Sequence, residues 1–148
     1  MTAKDIMKAN VITVDKETTI SEIAKILTEN KISGVPVVDG EGRIAGIVSE
    51  GDLLHKEISP RIPRFVELLG GVIYYSGLDQ YKADIKKLAA IRAAEIMTEK
   101  VITVSKDTDI QTIASLMVKH NIKRIPVTED HKIVGIVSRA DIVKTLVL

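Results

Sequence analysis

Gly46-Ile47-Val48-Ser49-Glu50-Gly51-Asp52 returns as Gly135-Ile136-Val137-Ser138-Arg139-Ala140-Asp141, and this twice-written G-I-V-S-x-x-D sets the architecture. Around it, residues 44–54 match 133–143 at 6 of 11 positions with an offset of 89. Upstream, residues 6–37 match 96–127 at 14 of 32 positions with an offset of 90. Self-similarity on that scale marks a duplicated supersecondary unit. The shared skeleton is I-M, V-I-T-V, K-x-T-x-I-x-x-I-A, I-x-x-x-P-V and I-x-G-I-V-S-x-x-D. The one-residue contraction falls at Asp39-Gly40-Glu41-Gly42 against Glu129-Asp130-His131, a hairpin turn that tolerates a change of length.

Each copy reads as βαββα. The β-branched run 11–14 predicts a strand, as does 101–104. Thr19-x-x-Glu22 has capping-box spacing, and Ile20, Ile23, Ala24 and Leu27 then recur at helical period, as do Ile110, Ile113, Ala114 and Met117. Strands are expected over 35–38 and 43–48, and helices open at Ser49 and Ser138. One such unit has too few strands to cover both faces, so the two copies are expected to pack together and share a core. The fold class is therefore α/β, two βαββα units in pseudo-two-fold arrangement, over 1–57 and 93–148.

Composition narrows the function. Apolar residues make up 45% and charged residues 28%, with Lys+Arg minus Asp+Glu at 21 − 20 = +1, which excludes a disordered chain. Near-neutral charge also weighs against nucleic acid as a partner. With no cysteine there are no disulfides, thiolate metal sites or thiol nucleophiles. Histidine stands only at 55, 120 and 131, without metal-ligand spacing, so no metal is expected. Lys4, Asp5 and Lys8 interrupt any signal-peptide core, and no run is long enough for a membrane span, so the expected location is the cytoplasm, with no membrane partner.

Two copies of V-I-T-V, of V-P-V or I-P-V, and of G-I-V-S-x-x-D resemble the CBS domain, named after cystathionine β-synthase; the paired form looks like a stand-alone Bateman module. The resemblance implies a regulatory, non-catalytic protein that binds an adenosyl ligand (AMP, ADP, ATP or S-adenosylmethionine) in the cleft between the motifs. It also implies a disc-like homodimer and a regulated protein partner. A ligand-free module that only dimerises or docks a partner is the alternative; a nucleic-acid-binding regulator is the other.

Ser49-x-x-Asp52 and Ser138-x-x-Asp141 are helix capping boxes by spacing alone. The resemblance adds that Asp52 and Asp141 bind ribose hydroxyls, a role compatible with capping because an ionised carboxylate accepts several strong hydrogen bonds. The resemblance further brings Thr13 and Thr103 near the ligand. It assigns Val11, Ile12, Val35, Pro36, Val101, Ile102, Ile125 and Pro126 to an apolar slot for adenine; on their own chemistry these are strand and core residues. Lys123 and Arg124 precede the second proline where Ser33 and Gly34 precede the first, and Arg139 stands where the first copy has Glu50. A planar guanidinium suits phosphate oxygens, so Arg124, Lys123 and Arg139 are expected to favour phosphates on the side of the second copy.

Residues 58–92 match neither copy. They hold every aromatic residue, Phe65, Tyr74, Tyr75 and Tyr81, and read as a helical insertion with helices over 64–69 and 78–90 broken at Gly70-Gly71. Apolar stripes at Ile20, Ile23, Ile26 and Leu27, and at Ile142, Val143, Leu146 and Val147, are the surface expected to be intermolecular.

Overall fold

The structure, a computed structural model, describes residues 1–55 and 90–147. Apart from residues 90–92, the expected insertion and its aromatic residues lie outside the described residues.

Both repeats supply the same succession of elements. The first gives α1 (Ala3–Ile6), α2 (Ile20–Asn30), β1 (Gly34–Val38), β2 (Ile44–Ser49) and α3 (Glu50–His55). The second gives α4 (Ala93–Ile96), α5 (Ile110–His120), β3 (Arg124–Glu129), β4 (Lys132–Ser138) and α6 (Arg139–Lys144), then a 3-10 turn, Thr145–Val147. The capping box opens α2 as the spacing predicts: the Glu22 amide donates to Thr19 Oγ1 at 3.3 Å and the Thr19 amide to Glu22 Oε2 at 2.9 Å. In α5 the cap is Asp109, whose Oδ1 accepts from the Thr112 amide at 2.9 Å. Each helix ends on a left-handed residue, Lys31 at φ 53° and Asn121 at φ 51°.

The strands expected over 11–14 and 101–104 are reduced to single parallel bridges, Val14 with Val37 and Val104 with Val127. Proline is the cause. The Val104 amide donates to the Pro126 carbonyl at 3.1 Å, but the next rung would need an N–H that Pro126 lacks. β1 pairs with β2, and β3 with β4. The second hairpin is antiparallel from Arg124↔Ser138 to Glu129↔Lys132, with an irregularity between Val127 and Thr128. It turns through Asp130 and His131, at φ 51° and 65°. Two successive left-handed residues make the tightest hairpin turn. The first turn is wider, its Asp39 carboxylate accepting from the amides of Glu41 and Arg43 at 2.8 and 3.0 Å, which accounts for the change of offset.

Two compact units result, and they do not follow the repeat boundaries. The first unit is Val14–Val37 with Gly46–Glu99; the second is Met1–Thr13, Val38–Ala45 and Lys100–Leu148. Within the second unit Thr2 bridges Asp109 and Lys8 bridges Ile136; within the first, Thr19 bridges Arg92 and Ile47 bridges Thr98. The Ala3 amide donates to the Thr108 carbonyl at 2.8 Å, and the Ala93 amide to the Thr18 carbonyl at the same distance. Each short helix therefore closes the unit built on the other repeat.

Two core clusters form among the described residues, and each draws on both repeats. One holds Val14, Ile23, Leu27, Val35, Val37, Val48, Ala93 and Ile96. The other holds Ala3, Val104, Ile113, Met117, Ile125, Val127 and Val137. The I-M dipeptides fit the same scheme: a Cβ on Gly46 would stand 2.7 Å from Met97 Sδ, and one on Gly135 2.3 Å from Met7 Sδ. Only glycine admits those side chains. Of the stripes expected to be intermolecular, Ile23 and Leu27 are buried in their own unit, whereas Val143, Leu146 and Val147 are exposed.

Candidate functional site

The site is built from the strand-to-helix turn that G-I-V-S-x-x-D encodes. In the second unit β4 ends at Ser138, the cap of α6. Asp141 Oδ2 accepts from the Ser138 amide at 2.8 Å and its hydroxyl at 2.9 Å, while the Asp141 amide donates to Ser138 Oγ at 3.3 Å. In the first unit Asp52 Oδ2 accepts from the Ser49 amide and hydroxyl at 2.9 and 3.2 Å. Both carboxylates are buried, Asp52 at 8% and Asp141 at 7% exposure. Carboxylates are seldom this buried without strong partners, because desolvation penalises the charged form.

The second oxygen separates the two. Asp52 Oδ1 accepts from the Thr98 hydroxyl at 3.3 Å. Asp141 Oδ1 has no protein hydrogen bond or ion pair among the described residues. Thr98 is a site residue that the sequence reading missed. Its signal was available in its place directly after the I-M dipeptide, where the first copy carries Lys8.

The remaining expected residues divide by position. Arg124, half-buried, opens β3 and lies in register opposite Ser138, so the basic residue and the capping box are neighbours. Lys123 is exposed, and its carbonyl accepts from the Arg139 amide at 3.0 Å. Arg139 bonds a helix end: its Nε donates to the Ile122 carbonyl at 3.0 Å and an Nη to Asn121 Oδ1 at 3.3 Å, so its guanidinium closes the end of α5. The geometry follows from charge, since cations are stabilised at helix carboxyl termini.

Val35, Pro36, Ile125 and Pro126 are fully buried, with the Val35 and Ile125 side chains in the cores. Pro36 and Pro126 offer their carbonyls to Val14 and Val104. Val11, Thr13, Val101 and Ile102 are half-buried, and Ile12 and Thr103 are exposed. Among the described residues no group of acids and histidines is placed to hold a metal ion, and no helix is long and apolar enough to cross a membrane.

Comparison with known proteins agrees with this architecture. An uncharacterized protein of Methanocaldococcus jannaschii is 32% identical over 155 residues, spanning 99% of this chain and 92% of that one. The solved CBS domain of a CBS domain containing membrane protein from Sphaerobacter thermophilus is 33% identical, with a TM-score of 0.76 over 97% of this chain and 86% of that one. A CBS domain pair solved in complex with 5′-methylthioadenosine and S-adenosyl-L-methionine is 28% identical, with a TM-score of 0.71 over 99% of this chain and 95% of that one. The CBS domain model matches residues 3–59 and again 93–148, the two segments that carry the two capping boxes, and the chain belongs to the CBS domain family.

Proposed function

We propose that the protein is a regulatory module that reversibly binds an adenosyl compound, AMP, ADP, ATP or S-adenosylmethionine, and passes its occupancy to a partner protein. One observation carries the reading. Asp141 is a buried carboxylate with one oxygen fixed by the capping box and the other without a protein partner among the described residues. Such a group gains most from a ligand that donates hydroxyl hydrogens, as the two hydroxyls of a ribose do. The domain pair solved with two adenosyl compounds supports the ligand class. Arg124 beside Ser138 supports a phosphate next to that ribose. Binding rather than catalysis is the proposed activity.

Thermal unfolding tests the reading. A ligand that binds only the folded chain, at about 100 times its dissociation constant, adds about 2.7 kcal/mol, a melting shift of about 5–10 °C for a chain of this size. AMP, ADP, ATP and S-adenosylmethionine form the screen, with guanosine nucleotides as controls. Asp141→Ala is expected to reduce the shift. Absence of a shift with every adenosyl compound up to millimolar concentration overturns the proposal.

A further inference from the structure

The two units place different residues at one structurally equivalent position, and the difference carries a charge. Thr98 is held against β2 by two backbone bonds, its amide to the Ile47 carbonyl at 2.8 Å and the Ile47 amide to its own carbonyl at 3.0 Å. From there its hydroxyl reaches Asp52 Oδ1. Lys8 is held against β4 in the same way, its amide to the Ile136 carbonyl at 2.9 Å and the Ile136 amide to its carbonyl at 3.1 Å. Equal backbone bonding sends the side chain off the strand on the same side. Lys8 therefore starts out toward Asp141, whose Oδ1 lacks the hydroxyl partner that Asp52 has.

On its other edge β4 is paired with β3, which brings Arg124 opposite Ser138. A cationic residue thus stands on each side of the strand that leads into the Asp141 turn. In the first unit the matching residues are Thr98 and Gly34, and neither is charged. We infer that Lys8 is a specificity-determining residue of the Asp141 site, selecting ligands that carry an anionic group beyond the ribose, while the Asp52 site takes neutral or cationic ones. The inference rests on the adenosyl-binding reading above. An ammonium on a four-carbon stem suits the task, because it can reach a phosphate without moving the backbone.

Calorimetry with adenosine, AMP and S-adenosylmethionine tests it, in an Asp52→Asn background so that the Asp141 site is read alone. Lys8→Thr copies the residue of the other unit at an exposed position, and its melting temperature checks that the chain is folded. The AMP-to-adenosine affinity ratio is expected to fall about tenfold or more, the range for a lost charge-assisted hydrogen bond, and preference is expected to move toward S-adenosylmethionine. Lys8→Arg, which keeps the charge, is expected to retain most of the ratio. An unchanged ratio in folded Lys8→Thr overturns the role of Lys8 and leaves the adenosyl reading intact. Failure of the wild-type chain to bind any of the three overturns both.

Discussion

The first and second units are alike in backbone and unlike in the side chains that meet at the capping box. The amides of Ala3 and Ala93 make equivalent bonds of equal length across their units, and the Ser-x-x-Asp turns agree to within a few tenths of an ångström. Against that sameness, Thr98 is set opposite Lys8, Gly34 opposite Arg124, and Thr19 opposite Asp109 as helix cap. The lesson is a division of labour within the repeat. Its apolar and glycine positions specify one backbone twice, and its polar positions are free to make the two sites chemically different.

The largest expected effect tests the closing helices. Ile96 is buried in the first core, whereas Ile6, its equivalent, is only partly buried against the second. Ile96→Ala is expected to cost about 2–5 kcal/mol, and Ile6→Ala about 2 kcal/mol or less, in urea denaturation. Equal losses would show that both units depend on their exchanged helix to the same degree.

Next in size are the paired glycines. A Cβ at Gly46 meets Met97 Sδ and also the Thr98 carbonyl oxygen at 2.9 Å, which is backbone; at Gly135 the nearest contacts are all with the Met7 side chain. Gly46→Ala and Gly135→Ala are each expected to cost about 1–3 kcal/mol. Adding Met7→Ala is expected to relieve Gly135→Ala, while Met97→Ala leaves Gly46→Ala impaired. A double-mutant cycle in each unit measures the coupling, and equal relief in both would refute the distinction.

The smallest effect is acid sensitivity. Hydrogen bonds from the Thr112 amide, then its hydroxyl, hold the Asp109 carboxyl below its ordinary value of 3.8, and the Thr2 amide and hydroxyl do the same for Asp5. Both residues belong to the second unit. A carboxyl depressed in the folded state stabilises fully above its unfolded value and loses that contribution as pH falls through its folded one. The amides of α5 are therefore expected to lose hydrogen-exchange protection as pH falls below about 4. Asp109→Asn, which keeps an acceptor and removes the titration, is expected to lessen that loss, and an equal loss in the variant would show that Asp109 does not carry it.

How much of this was readable beforehand depended on the range of each signal. Thr19-x-x-Glu22 and the two Ser-x-x-Asp boxes are local patterns, and all three form the bonds their spacing implies. Four-residue helices such as Ala3–Ile6 are too short to show a period, so their exchange between units left no trace beyond the I-M dipeptide. V-I-T-V misled because strand propensity describes a side chain's surroundings, and the limit here came from a proline on the neighbouring strand. The bonds of Arg139 were hidden for a similar reason: its sequence neighbour is the capping box, and its guanidinium bonds the end of a helix that finished 18 residues earlier at Asn121.

The exchange of short helices also fixes an order of events as the chain is made. Residues 14–55 leave the ribosome with their apolar side chains, yet their core has to wait for Ala93 and Ile96. The second core needs Ala3, which emerges among the first residues and must stay available until Ile113 and Ile125 arrive. The first unit can close once residue 99 has been made, whereas the second waits for nearly the whole chain, so the nascent chain carries uncovered apolar surface through most of its synthesis. A cut at the repeat boundary would leave each half holding the closing piece of the other.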